Sequence, residues 1–117
     1  MNDDLRTCDS ILDWLKNQTE SRKPIDPHRW MEAAQALNVL ISDENDKLIE
    51  LEGIYANAWI NERELHKTAA DTRIHVEALG VFKEMKKQRA KIEQIKEAIR
   101  LAKLSARIKS DELRNNL

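Results

Sequence analysis

The chain has 117 residues, of which 35% are charged and 4% aromatic, with only two Gly and two Pro. These are too few turn formers to separate the many short strands of a β-sheet domain, while the 41% apolar fraction argues against full disorder. The sequence has no run of about 18 apolar residues, and no apolar stretch follows its acidic start. We therefore expect one all-α domain over residues 1–117, located in the cytoplasm, with no membrane as partner.

The first predicted helix covers residues 3–19, because its apolar residues recur every three or four positions. They are Leu5, Cys8, Leu12 and Leu15. A linker over residues 20–26 should follow, since Pro24 cannot lie in a helix interior. Cys8 is the single cysteine, so it forms no intrachain disulfide and is interpreted as a small apolar residue on this helix.

A long second helix is predicted over residues 27–66, beginning at Asp26–Pro27, where Asp suits the N-cap and Pro the first helical position. One apolar stripe follows it: Trp30, Ala34, Leu37, Ile41, Leu48, Leu51, Tyr55 and Trp59. The polar residues Glu44 and Asn45 interrupt the stripe, and Ser42 offers a cap for a new helix there. Because the stripe resumes in phase, we favour one continuous helix.

The last predicted helix covers residues 72–112, so that an antiparallel hairpin turns near residues 67–72. A turn at Gly80 and the absence of a tight turn remain alternatives.

One stripe of this last helix is apolar: Met85, Ile92, Ile95, Ile99, Ala102 and Ala106. Leu101, Leu104 and Ile108 lie roughly opposite. A second apolar face needs another helix, which is either the first helix or a second subunit, so this face predicts self-association as a homo-oligomer. The spacing resembles that of coiled coils but does not define the oligomer number.

The near-zero net charge of −1 hides an asymmetry along the chain. Residues 1–80 hold 9 basic and 16 acidic side chains, a net charge of −7, whereas residues 81–110 hold 10 basic and 3 acidic ones, a net charge of +7. A basic stripe on the last helix comprises Arg89, Lys96, Arg100, Lys103 and Arg107. It fits either pairing with the acidic half of the chain or contact with nucleic-acid phosphates, and we favour the first because aromatics for base stacking are scarce.

No catalytic, cofactor or metal site is expected. His66 and His75 follow Glu62 and Asp71 at i, i+4 spacing, but the segment is the most polar of the chain, which favours solvated side chains over a metal site. With two glycines there is no phosphate-binding loop. A slender helical bundle also offers no pocket to shift the pKa of a carboxylate, so the protein is predicted not to be an enzyme.

Three aromatic anchors at core spacing are predicted to lie in the core or a subunit interface: Trp14, Trp30 and Trp59.

The segment Pro-Ile-Asp-Pro-His-Arg-Trp-Met-Glu-Ala-Ala-Gln-Ala-Leu-Asn-Val-Leu at 24–40 resembles small helical proteins of tailed phages and prophages. Asp-Lys-Leu at 46–48, Val-Glu-Ala at 76–78, Lys-Glu-Met-Lys-Lys-Gln at 83–88 and Ile-Arg-Leu-Ala-Lys at 99–103 add to this resemblance. Such proteins are mostly uncharacterised and are often encoded among replication and recombination genes. The resemblance implies a phage accessory protein in the host cell cytoplasm and carries over no functional residue.

These features together predict a non-enzymatic helical interaction or scaffolding protein that acts through coiled-coil surfaces. Two alternatives remain. The first is a nucleic-acid-binding accessory protein in phage replication or recombination that uses its basic last helix. The second is an inhibitor of a host protein, with an acidic surface that blocks a basic groove.

Overall fold

The protein is all-α, as the sequence predicts. In the computed structural model, which describes residues 7–21 and 26–115, the chain forms four helices and no strand over those two ranges. The helices are α1 (Cys8–Ser21), α2 (Pro27–Leu65), α3 (Ala69–Glu77) and α4 (Gly80–Asn115). No described helix is both long enough and apolar enough to pass through a lipid bilayer.

Helix α1 is capped by an exchange of hydrogen bonds between Thr7 and Ser10. The Ser10 backbone N–H donates to Thr7 Oγ1 (3.1 Å), and the Thr7 N–H donates to Ser10 Oγ (3.1 Å), as in a capping box. The helix continues to Ser21, so the first two residues of the predicted linker are helical. The predicted start at residues 3–6 and the linker positions 22–25 lie outside the described residues.

Helix α2 begins at the predicted cap. Asp26 Oδ1 accepts the His28 backbone N–H at 2.9 Å, and Pro27 occupies the first helical position, where it has no N–H to leave unpaired. The helix then continues through Ser42, whose Oγ donates to the Val39 carbonyl one turn earlier (3.2 Å) instead of capping a new helix. Residues 27–65 are therefore one helix of 39 residues.

The long helix predicted over 72–112 is interrupted. Thr68 caps a separate helix α3 by accepting the Asp71 N–H (3.1 Å), and the turn at Ala78–Leu79 then leads into α4 at Gly80. Both positions considered for the turn are therefore breaks, and nine helical residues lie between them. The last helix ends at Asn115 rather than at 112.

The described chain packs as two compact units, divided within α2 after Ser42 and within α4 after Ile92. In the first unit, α1 packs with residues 27–42 and 93–115 around one hydrophobic cluster. Its buried members are Cys8, Ile11, Leu15, Trp30, Ala33, Ala34, Leu37, Ile95, Ile99, Ala102 and Ala106. The second unit, Asp43–Ile92, contains α3, and α2 and α4 are antiparallel there, because Glu44 contacts Lys91 while Tyr55 stacks on Phe82 (5.7 Å between ring centroids).

The predicted apolar stripes form the buried sides of the two long helices. All six predicted residues of the α4 stripe are buried. On α2 the stripe is buried from Trp30 to Leu37 and half-buried from Ile41 to Trp59. Such seams at alternating three- and four-residue spacing are typical of helical hairpins with coiled-coil-like packing.

Candidate interaction surfaces

A buried carboxylate, Glu44, lies in the apolar seam of the second unit. Its side chain is only 7% exposed, yet both carboxylate oxygens have partners. Gln88 Nε2 donates to Glu44 Oε2 at 2.7 Å and also to the Glu44 backbone carbonyl at 2.8 Å. Lys47 and Lys91 reach Glu44 Oε1 at 3.3 and 3.4 Å. The carboxylate is therefore fully hydrogen-bonded, as a buried charge must be.

The surroundings of Glu44 keep it ionised. Burial alone would raise the pKa of this carboxyl, but the hydrogen bond from Gln88 and the charges of Lys91 and Lys47 outweigh burial, so the pKa lies below its ordinary value. Glu44 and Gln88 are thus a polar pair between α2 and α4. In the sequence, Glu44 interrupts the apolar stripe of α2, and Gln88 is not part of any predicted site. Their spacing was the missed signal. Glu44 falls in the stripe of α2 between Ile41 and Leu48, and Gln88 falls in the stripe of α4 between Met85 and Ile92.

The predicted self-association face remains exposed. Leu101, Leu104 and Ile108 are 46%, 43% and 47% exposed, although the opposite side of α4 is buried in the first unit's hydrophobic cluster. The sequence left open whether α1 or a second subunit covers this face. Helix α1 contributes Cys8, Ile11 and Leu15 to the hydrophobic cluster and leaves the three outer residues accessible. We call Leu101, Leu104 and Ile108 the outer face of α4.

A groove of about 600 Å³ lies between α1 and α4 within the first unit. Its apolar lining comes from both helices and from one residue of α2: Leu12, Leu15, Trp30, Ala98, Leu101 and Ala102. Charged groups at Asp13, Lys16 and Glu97 also line it. Leu101 belongs to both the groove and the outer face, so the apolar surface continues from one to the other.

The residues of the basic stripe differ in their ion-pair partners. Arg89 pairs with Glu52 of α2 (3.6 Å), which is the kind of contact with the acidic half that the sequence favours. Lys96 and Arg100 instead pair within α4, with Glu93 (3.3 Å) and Glu97 (2.6 Å). The hydrogen bond from Arg100 lowers the pKa of the Glu97 carboxyl. Lys103 and Arg107 have no carboxylate within 4.0 Å in the described part of the chain.

The three tryptophans differ in their surroundings. Trp14 of α1 and Trp30 of α2 meet edge to face, with ring centroids 6.0 Å apart, and the Arg29 guanidinium lies 5.4 Å from the centroid of the Trp14 ring. Trp30 is buried, whereas Trp14 and Trp59 are half-buried. Trp59 Nε1 donates to the Tyr55 hydroxyl at 3.2 Å. Trp30 Nε1, in contrast, is buried without a hydrogen-bond partner among the described residues.

The two histidines singled out in the sequence come together where α2 meets α3. Their rings stack with centroids 3.9 Å apart. His66 Nε2 lies 3.1 Å from Glu62 Oε2, as the i, i+4 spacing suggests, but His75 Nδ1 contacts the Asp71 backbone carbonyl (2.8 Å) rather than its carboxylate. Over residues 7–21 and 26–115, no group of three or more His, Cys, Asp or Glu side chains is arranged to hold a metal ion.

No protein-family model, curated protein or solved structure matches this chain. The resemblance to phage proteins therefore stays a prediction.

Proposed function

We propose that the protein is a non-enzymatic helical interaction protein that self-associates through the outer face of α4. The observation that carries this proposal is the exposure of Leu101, Leu104 and Ile108 on one side of a helix whose other side is already buried. Their spacing, three and then four residues, is that of a second coiled-coil seam on the same helix. Three aligned apolar residues on a charged helix are a typical mark of a contact with another helix.

The expected affinity is modest. Each outer-face residue is already about half buried, so burying its remaining apolar area contributes roughly 1 kcal/mol per side chain at 25 cal/mol per Å². Association also costs translational and rotational freedom, on the order of several kcal/mol. A weak, concentration-dependent oligomer is therefore expected rather than an obligate one.

Substitution of one outer-face residue tests the proposal. Leu104→Glu places a charge in the seam and should shift the protein to monomer in light scattering coupled to size-exclusion chromatography. The matched control is Val39→Glu, because Val39 is 73% exposed on α2 and belongs to neither stripe. If both variants and the unmodified protein give the same mass at every concentration, the outer face does not mediate association.

A second candidate function, nucleic-acid binding, draws support from Lys103 and Arg107. Their charges are not neutralised by carboxylates of the described chain, and phosphates are alternative partners for such groups. The double variant Lys103→Glu, Arg107→Glu should then abolish a salt-sensitive interaction with duplex DNA, while Lys16→Glu on α1 should not. Absence of binding at low salt would eliminate this candidate.

Roles as a phage accessory protein or as an inhibitor of a host protein remain hypotheses without a structural argument.

A further inference from the structure

We infer that the self-associated form is a parallel, in-register pair of α4 helices from two copies of this chain. The inference rests on the proposed function and specifies the partner and its orientation. It is carried by the charged residues that flank the outer face. In a two-stranded coiled coil the residues beside the apolar seam determine which orientation brings opposite charges together.

The parallel arrangement brings together opposite charges. Arg107 immediately precedes the seam residue Ile108, and Glu112 lies five residues further along on the other flank of the seam. In a parallel pair, flanking residues five apart on different helices are neighbours, so Arg107 of each copy lies beside Glu112 of the other. Arg107 has no carboxylate partner within the described chain, and Glu112 has only an exposed contact with Lys109 at 3.4 Å. Both groups are therefore available for the contact.

The antiparallel arrangement places like charges opposite each other. If Leu101 of one copy met Leu104 of the other, Arg100 of each copy would face Arg107 of the other, so two arginine pairs would form in the same pair of helices. Repulsion between these arginines disfavours the antiparallel orientation. The outer face therefore matches a second copy in the parallel orientation.

The seam positions next to the outer face limit its length. Continuing the spacing by four residues before Leu101 and three residues after Ile108 reaches Glu97 and Asp111. In a parallel pair Glu97 would face Glu97 of the other copy, and Asp111 would face Asp111 of the other copy. The apolar seam therefore ends after three layers. Glu97 is already paired with Arg100, which reduces the repulsion at that end. A seam this short fits the modest affinity expected above.

Disulfide crosslinking separates the two orientations. In a Cys8→Ala background, Leu101→Cys alone and Ile108→Cys alone should each give crosslinked dimers under mild oxidation, because in-register parallel helices place identical positions side by side. An antiparallel pair that aligns Leu101 with Leu104 would instead crosslink a mixture of Leu101→Cys and Leu104→Cys and would leave Ile108→Cys alone uncrosslinked. That result would overturn the inference and leave self-association intact. If no combination crosslinks and the unmodified protein is a monomer, the proposed function fails as well.

A charge exchange provides an independent readout without new cysteines. Arg107→Glu alone and Glu112→Arg alone should each raise the dimer dissociation constant about fivefold, since each creates two like-charge contacts of the size of exposed ion pairs. The double variant Arg107→Glu, Glu112→Arg should restore the original value. Equal weakening in the double and single variants would contradict the parallel pairing.

Discussion

The Gln88 side-chain amide donates to both the carboxylate (2.7 Å) and the backbone carbonyl (2.8 Å) of Glu44, across the contact between α4 and α2. This pair forms the polar layer of a seam that is otherwise made by apolar and aromatic residues. A polar layer of this kind tolerates only the register that pairs the two groups, because a shift of one turn would leave a buried carboxylate without its donor. We therefore assign Glu44 and Gln88 the role of aligning the second unit.

Removing one member of this pair should destabilise the protein. Gln88→Leu leaves the Glu44 carboxylate without its side-chain amide donor and should lower the free energy of unfolding by about 1.5–3 kcal/mol. The double variant Glu44→Leu, Gln88→Leu removes the buried charge as well and should be close to the original stability or above it. Urea denaturation measures both, with Gln35→Leu, the same change at an exposed position of α2, as control. Additive losses in the double variant would contradict the assigned pairing.

Acidification should affect stability through Glu44. Its pKa is lowered in the folded protein, so the folded state favours the ionised form, and this contribution is fully present above the ordinary glutamate pKa of about 4.3. It should disappear as the pH falls through the lower, folded-state pKa. The Glu44→Gln variant lacks this dependence, so the stability difference between the two proteins should narrow below pH about 4.3. A difference that stays constant from neutral pH to pH about 3 would refute the assignment of a lowered pKa.

Gly53 should be replaceable with a gain in stability. It lies in the middle of α2, and an added Cβ would meet nothing within 4 Å. Alanine has a higher helix propensity than glycine, so Gly53→Ala should raise the free energy of unfolding by about 0.5–1 kcal/mol. Gly80→Ala is the matched control, since Gly80 also has open space but stands at the first position of α4, where the gain should be smaller. A loss of stability on Gly53→Ala would contradict the open space around this position.

Trp30 should tolerate phenylalanine much better than alanine. Trp30→Ala removes a buried ring from the hydrophobic cluster and should cost about 3–5 kcal/mol. Trp30→Phe keeps most of the packing and eliminates the indole N–H, which has no partner among the described residues, so its cost should stay below about 1.5 kcal/mol. Thermal denaturation compares the two, with Trp59→Phe as control. Equal losses for both substitutions at position 30 would show that the indole N–H is stabilising.

Periodicity was sufficient to predict the helical class and the buried stripes. Ile95, Ile99 and Ala102 are buried as their spacing predicts, and Asp26 caps α2 through the expected hydrogen bond. Glu44 and Gln88 were not recognised, because a stripe defined by apolar residues excludes polar ones at the same spacing. Their hydrogen bond joins two helices, and no single-helix pattern contains that information.

The break between α3 and α4 is harder to predict, because two weak signals favour different positions for a single turn. The polar segment at 66–68 and Gly80 each mark an interruption, and the chain uses both. The stacking of His66 on His75 follows from this double break, which brings the end of α2 close to α3. Likewise, the sequence does not predict the exposure of Leu104, since periodicity alone allows either α1 or a second subunit to cover it, and α1 packs on the other side of α4.

Sedimentation equilibrium of the unmodified protein over a broad concentration range tests the central claim most directly. We predict a mass that rises from that of one 13.6 kDa chain towards that of two as concentration increases, and that stays at one chain for Leu104→Glu. A mass of one chain at every concentration would contradict self-association through the outer face of α4.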